Sequence, residues 1–407
     1  MSSRIAACVA LYVGSEGWVM LKVLIAKERT RGEARVAATP ETVKRLVKEG
    51  LEVVVERGAG EAAYLVDDRY QSAGGRLITE LASEWATADA VFKVTPLGVN
   101  AQLAKDEAAA LKPGAIVISF LQPYRNLPMV KTLAAGKATA LAMELVPRIT
   151  RAQSMDALSS QANIAGYKAV LLAASHLGKY FPMLMTAAGT IPPAKVVVMG
   201  AGVAGLQAVA TAKRLGAVVW VSDVRPVVKE QVESLGAKFI DLPSLPGQES
   251  GEGQGGYAKE MSKDFLARQQ AIIQEHVATA DVVITTALIP GKPAPRLVTA
   301  NMVQNMRPGS VIVDLAAEQG GNCELTVAEQ EISRYGVTIL GHTNLPSTMP
   351  LDASTLYARN VLELALLVFK GGKLNLDLND EIIKGVLLTH DGQITHGPTA
   401  LAAQATP

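Results

Sequence analysis

From residue 20 onward the chain alternates short β-branched runs with stretches whose apolar positions recur at helical spacing. The runs are residues 22–26, 52–56, 90–94 and 115–120, and a helix is expected near 42–49. Such alternation predicts parallel strands joined by crossover helices, so the fold class read from the pattern is α/β with parallel sheets. At Leu111-Lys112-Pro113-Gly114, and again at Met306-Arg307-Pro308-Gly309, a helix is expected to end in Pro-Gly, with a buried strand next, 115–120 in one case and 311–315 in the other. Two halves built alike would produce this recurrence; repeated use of a common turn would produce it too.

Between the halves, residues 156–181 contain no proline and carry Leu158, Ala162, Ala165, Ala169, Leu172 and Leu177 at helical spacing, which predicts a long helix bridging two domains. A second long helix is expected over 355–370, stopping at Gly371-Gly372, after which strand-like pieces such as 385–388 fold back on the first domain. The resulting division is residues 20–155 with 350–407 as one α/β domain and 156–349 as the other. Residues 1–19 contain Arg4 and an apolar run over 5–13 that superficially resembles a signal sequence, but the strand beginning just after Met20 favours an extension or a mistaken start. Residues 247–256 hold five glycines and no apolar side chain, followed by Gly256-Tyr257-Ala258-Lys259; the composition suits either a mobile lid or a surface insertion.

One segment carries a specific signal. Lys195–Met199 reads as a buried strand and runs into Gly200-Ala201-Gly202-Val203-Ala204-Gly205, which opens a helix expected over 206–215. Gly200 permits the tight turn, Gly202 lets a pyrophosphate approach the main chain, and Gly205 allows close helix–strand packing. The helix N-terminus then offers unpaired N–H groups to an anion. A second strand, Val218–Ser222, ends at Asp223, eighteen residues after Gly205, where a carboxylate can accept hydrogen bonds from an adenosine ribose and repel a 2′-phosphate. The expected cofactor is therefore NAD, with Arg225 beside Asp223 solvated or stacked on adenine. The fold expected is two Rossmann-like domains with parallel sheets, connected by long crossover helices, with the NAD cleft between them.

Composition narrows the function. There are 39 basic and 38 acidic side chains, a net charge of +1, and only 4% aromatics. Nucleic-acid binding needs a basic surplus and stacking platforms that this chain lacks. Cys8 and Cys323 form no CxxC pair, so neither a disulfide framework nor a zinc site follows, and a reducing cytoplasm fits. Even the strongest apolar run, 361–369, is short and carries Glu363, so no membrane span is expected.

A dehydrogenase of small alcohols or amines usually needs a general acid or base beside the reacting carbon. The five histidines are His176, His276, His342, His390 and His396, and none lies in the first 175 residues. His342, at the end of an expected strand in Gly341-His342-Thr343-Asn344, could meet the cofactor or simply make structural hydrogen bonds. At the domain junction stands instead a dense polar run from Arg148 to Asn163. Its Arg148, Gln153, Asp156 and Ser159 could hold a carboxamide and orient the ring without proton transfer. The bland alternative is an ordinary helix N-terminus with solvated caps.

At these residues the sequence resembles the NAD(H)-binding α subunit, domain I, of proton-translocating NAD(P) transhydrogenases. The likeness lies in residues 147–170, 198–217, 256–262, 285–295 and 309–323, and extends over nearly everything from residue 20 onward. It implies that Arg148, Gln153, Asp156 and Ser159 contact the nicotinamide. It also implies that Gly200, Gly202, Val203, Ala204 and Gly205, with Asp223, Val224 and Arg225, hold the adenosine half. Gly256, Tyr257 and Ala258 would belong to a loop folding over the nucleotide, and Thr286, Ala287, Leu288 and Asn344 would complete the site. A homodimer is implied, with hydride passing to NADP(H) on a separate β subunit. A membrane-spanning subunit would carry the proton and hold this chain at the cytoplasmic face of the inner membrane. Many members continue into a membrane anchor, whereas this sequence ends at Pro407, so the anchor is expected on another chain.

Alanine dehydrogenase, a related family, uses a lysine and a histidine in its first domain. Lys93 looks like that lysine, but where the histidine is expected the sequence reads Ser119-Phe120-Leu121-Gln122, and Phe120 cannot transfer a proton. Hydride exchange between two nicotinamides needs no such group. A non-catalytic NADH sensor is the remaining alternative, and no metal site is expected.

Overall fold

The computed structural model describes residues 20–103, 105–241, 263–289 and 292–405. The proposed extension at 1–19 and the glycine-rich segment with Gly256, Tyr257 and Ala258 lie outside these.

Two sheets dominate the described residues. The first has eight strands in the order Gln393–Ile394, Leu387–His390, Thr139–Ala142, Ile116–Ser119, Ala90–Phe92, Lys22–Ile25, Glu52–Glu56, Arg76–Ile78. Its six N-terminal strands are mutually parallel, and the two from the C-terminal tail add antiparallel. The second has seven, in the order Lys238–Phe239, Val218–Ser222, Lys195–Met199, Val282–Thr285, Val311–Asp314, Val337–Leu340, Glu331–Arg334, parallel except for the last. Central strands such as Val282–Thr285 and Ile116–Ser119 are buried throughout, which is why they read as unbroken β-branched runs rather than alternating ones.

Two long helices join the sheets. Ala157–His176 begins with Ala157 in the core of the first sheet and ends with Ala169, Val170 and Ala173 in the core of the second. Pro350–Val368 crosses back and packs Tyr357, Val361, Leu364 and Val368 on the first sheet. The two helices also touch each other.

Two local expectations change. The residues before Pro113 form turns, not a helix, because the Asp106 side chain accepts the Ala108 N–H and folds the chain back. The two Pro-Gly turns are nonetheless alike: Gly114 and Gly309 have φ of +80° and +86°, and their N–H groups reach Lys137 O and Gly336 O beside the next strand. In the tail, Gly385 lies within a helix, Glu381–Val386, started by Asp380 accepting the Ile382 and Ile383 N–H groups, so the strand begins only at Leu387.

Candidate functional site

The glycine turn lies where the strand Lys195–Met199 meets the helix Val203–Arg214, which starts three residues earlier than expected because Gly202 is its N-cap. Gly200 has φ +99°, and a Cβ there would stand 2.6 Å from Thr286 Oγ1. A Cβ on Gly205 would sit 1.8 Å from Gly200 O, so only glycine lets the helix start this close to the strand. Gly202 differs, since a Cβ there would meet nothing within 4 Å. Its bareness leaves open space over the turn. The first intrahelical bond runs from Leu206 N–H to Gly202 O, and no side chain caps the helix. The N–H groups of Val203, Ala204 and Gly205 therefore precede the ladder, as an anion cradle requires. The residues fit a dinucleotide pyrophosphate.

Asp223 is buried at the end of the neighbouring strand. Its carboxylate accepts Ala201 N–H at 2.7 Å and Arg225 N–H at 2.8 Å, and the Arg225 guanidinium adds Nε at 2.9 Å and Nη2 at 2.8 Å. Arg225 is thus paired side-on with Asp223 rather than solvated, and Val224 is half-buried between them. On the other flank, Thr286 Oγ1 donates toward Gly200 O at 3.1 Å. Ala287 exchanges two hydrogen bonds with the Asn322 amide, and Leu288 follows half-exposed. Buried Asp314 organises this region by accepting from Thr285 Oγ1, Thr326 Oγ1 and the N–H groups of Ala316 and Cys323. Sequence reading missed Asn322 and Asp314; the only signal was an acid at a strand end and a polar residue after paired glycines.

The polar run folds as a short 3-10 turn, Thr150–Met155, leading into the bridging helix. Asp156 is the helix N-cap, with Oδ1 accepting Ser159 N–H at 2.9 Å and Oδ2 accepting Ser159 Oγ–H at 2.5 Å. The turn is pinned from both sides: Arg151 pairs with Asp380, and Asn360 donates to Ser154 O. Arg148 and Gln153 remain exposed side chains on this fixed segment. Gly166, also missed, lies further along the bridging helix. A Cβ there would fall 2.1 Å from Ala204 O, so this glycine sets how closely the helix approaches the glycine turn. A lone glycine inside a long helical pattern was its signal.

At the carboxyl edge of the first sheet, Lys93 is buried between Glu28 and Glu107, at 3.3 and 3.2 Å. Burial alone would favour the neutral amine, but the two carboxylates override it and hold the pKa above its ordinary value. Lys93 is a sealed ammonium. Phe120 packs on Tyr357 with ring centroids 5.1 Å apart, and Tyr357 O–H donates to Lys93 O. His342 Nε2 lies 2.9 Å from Glu331 on the edge strand. Asn344, at φ +49°, directs its amide to Glu33 and Arg35 instead of leaving it open to a ligand. Burial pushes the Glu33 carboxyl up, yet Arg35 and Asn344 together hold it below the usual carboxylate value.

The two parallel sheets, the crossing helices and a glycine turn without a capping side chain define a dinucleotide-fold protein of two α/β halves. Comparison with known proteins refines this. The profile of the alanine dehydrogenase/PNT N-terminal domain matches residues 24–165, and that of the C-terminal domain matches 169–397. The chain belongs to the alanine dehydrogenase/PNT family. It is 51% identical to an NAD(P) transhydrogenase subunit alpha chain of Rhodospirillum rubrum over 378 residues, 92% of this chain and 98% of that one. An alanine dehydrogenase of Methanococcus maripaludis is 30% identical over 93% of this chain and 95% of its own. The crystal structure of transhydrogenase from Sinorhizobium meliloti superposes with a TM-score of 0.81 at 47% identity, over 92% of this chain and 99% of that one. The transhydrogenase side of the family is therefore the nearer, and the alanine dehydrogenase side the more distant.

Proposed function

We propose that this chain is the NAD(H)-holding α subunit of a proton-translocating NAD(P) transhydrogenase, in which hydride passes from NADH to NADP+ held by a β subunit. The carrying observation is a contrast within one molecule. The glycine turn and Asp223 supply what a dinucleotide needs, whereas the strand end Ser119-Phe120-Leu121-Gln122, where an amino-acid dehydrogenase would carry its histidine, holds none, and Lys93 is sealed between two glutamates. A bound reduced nicotinamide supplies a hydride, and handing it to a second nicotinamide releases no proton for the protein to accept.

This chain's own residues hold and orient. The N–H groups after Gly202 receive the pyrophosphate, and Asp223, clasped side-on by Arg225, stands beside the turn at the adenosine end. Arg148 and Gln153 engage the carboxamide end of the ring, with Asp156 and Ser159 fixing the helix end that presents them. Approach and orientation then account for the rate contribution. Residues 20–155 with 350–407 form the domain facing the ring, and 156–349 the dinucleotide domain. Among the described residues no helix is long and apolar enough to cross a membrane, so the reading places proton movement on membrane-spanning partners. The chain would act as a homodimer, cytoplasmic and peripheral on the inner membrane.

Mixed with an NADP(H)-binding β subunit, the purified chain should reduce an NADP+ analogue from NADH, and it should not turn over pyruvate, ammonia and NADH. Robust amination of pyruvate would overturn the reading in favour of alanine dehydrogenase. Rapid reduction of NADP+ by the isolated chain would overturn the division of labour between subunits.

A further inference from the structure

A buried polar link between the two halves is built around one guanidinium. Arg35 follows the first strand, is 7% exposed, and its partner Glu33 has a fully buried side chain. Arg35 Nε and Nη2 donate to the two Glu33 oxygens at 2.8 and 2.7 Å. Nη2 also reaches Asn344 Oδ1 at 3.1 Å, and Asn344 Nδ2 closes the ring to Glu33 at 3.0 Å. Nη1 donates to Gln161 Oε1 at 2.8 Å. Three separate segments converge here: the loop after Lys22–Ile25, the bridging helix, and the left-handed turn that follows Val337–Leu340.

We propose that Arg35 is a positioning residue for hydride transfer, tying the turn at Asn344 to Gln161 on the helix whose N-cap is Asp156. The proposal rests on the reading that places the nicotinamide against Arg148, Gln153, Asp156 and Ser159. Gln161 follows Asp156 by five residues, about 7.5 Å along the helix axis, so a shift at Gln161 is carried rigidly to the cap. The same amide is held from the other side by Ala353 O, which it reaches through Nε2 at 3.1 Å. Arg35 therefore decides the seating of the helix relative to the second sheet's exit turn and not its seating on Pro350–Val368. Displacements near 1 Å at a reacting centre cost on the order of a hundredfold in rate while leaving remote binding contacts intact. Only a planar fork with several donors serves Glu33, Gln161 and Asn344 together; a lysine ammonium keeps the charge and loses the geometry.

The test uses the full chain with its β subunit. NADH affinity is read on the chain by nucleotide fluorescence, and hydride transfer by single-turnover kinetics. Arg35→Lys should lower the transfer rate tenfold or more while changing the NADH dissociation constant less than threefold. Gln161→Ala should reproduce that split, and the double variant should be no slower than the worse single one. If Arg35→Lys fails to fold, Gln161→Ala is read alone by the same criteria. A transfer rate within twofold of wild type, or equal losses in rate and affinity, overturns the proposal. Asp156→Asn and Gln153→Ala run in parallel: if both leave transfer unchanged, the nicotinamide reading fails and takes the proposal with it. If they impair transfer and Arg35→Lys does not, the proposal alone fails.

Discussion

Glu144 shows what burial does to a single carboxyl. The residue follows the strand Thr139–Ala142 and accepts the N–H groups of Leu121 and Gln122, the latter at φ +45°. Burial of its carboxyl pushes the pKa up from 4.5 to about 7, and the backbone donors only partly offset this. Between those values the folded chain keeps a proton that the unfolded chain has released. The contribution of Glu144 to stability is thus greatest below pH 4.5 and falls as pH rises, by up to ~3 kcal/mol, levelling off above pH 7. Urea denaturation at pH 5 and pH 7.5 should show wild type losing stability over that interval, and Glu144→Gln should flatten most of the slope; an undiminished slope would assign the titration elsewhere. None of this is visible in the sequence, because Glu144 sits in a segment with no motif and its environment comes from Leu121 and Gln122, more than twenty residues away. Asp223 is the opposite case. Its partner glycine turn is encoded by spacing alone, although the side-on clasp from Arg225 is not.

Among elements, the contact between Ala157–His176 and Val203–Arg214 governs the site, and Gly166 is a point of close backbone approach within it. On an exposed helix, replacing glycine by alanine gains roughly 1 kcal/mol in propensity. Here the new Cβ would stand 2.1 Å from Ala204 O, a backbone atom with no freedom to turn aside. Gly166→Ala should therefore destabilise by about 1–3 kcal/mol, reversing the usual sign. It should also weaken NADH binding at least tenfold, because the first turn of the second helix must move. Calorimetry and fluorescence titration check both, and a stabilised variant with unchanged affinity would show that the helices can part freely. Periodicity announces both helices and places the polar run at the start of one. It does not say which helix crosses which, and so it cannot reveal why Gly166 is required, or that Asp156 and Ser159 are engaged with each other.

At the scale of the whole molecule, the halves also meet at the surface. Arg125, in the turn after Ile116–Ser119, reaches across to Glu318, with 2.5 Å to Oε1 and 2.8 Å to the backbone carbonyl. Both side chains are about half exposed, so the pair is worth under ~1 kcal/mol to folding. Its place between the halves matters more than its strength. Arg125→Ala should leave the urea midpoint unchanged and speed NADH dissociation a few-fold in stopped-flow measurements; an unchanged off-rate would reduce the contact to surface decoration. The alternation of strands and helices makes the α/β class readable from the pattern, but Arg35, Arg125 and Asn344 take their partners across the halves from sequence separations of 126 to 311 residues, which no local pattern records. The same long return has a consequence for synthesis. Leu387–His390 is laid beside Thr139–Ala142 only after the second sheet's segments have been made. A nascent chain leaving the ribosome therefore carries an unfinished first half while the second sheet is being made, with bare backbone amides along one apolar strand, and the arrival of Leu387–His390 decides whether that half closes or sticks to a neighbour.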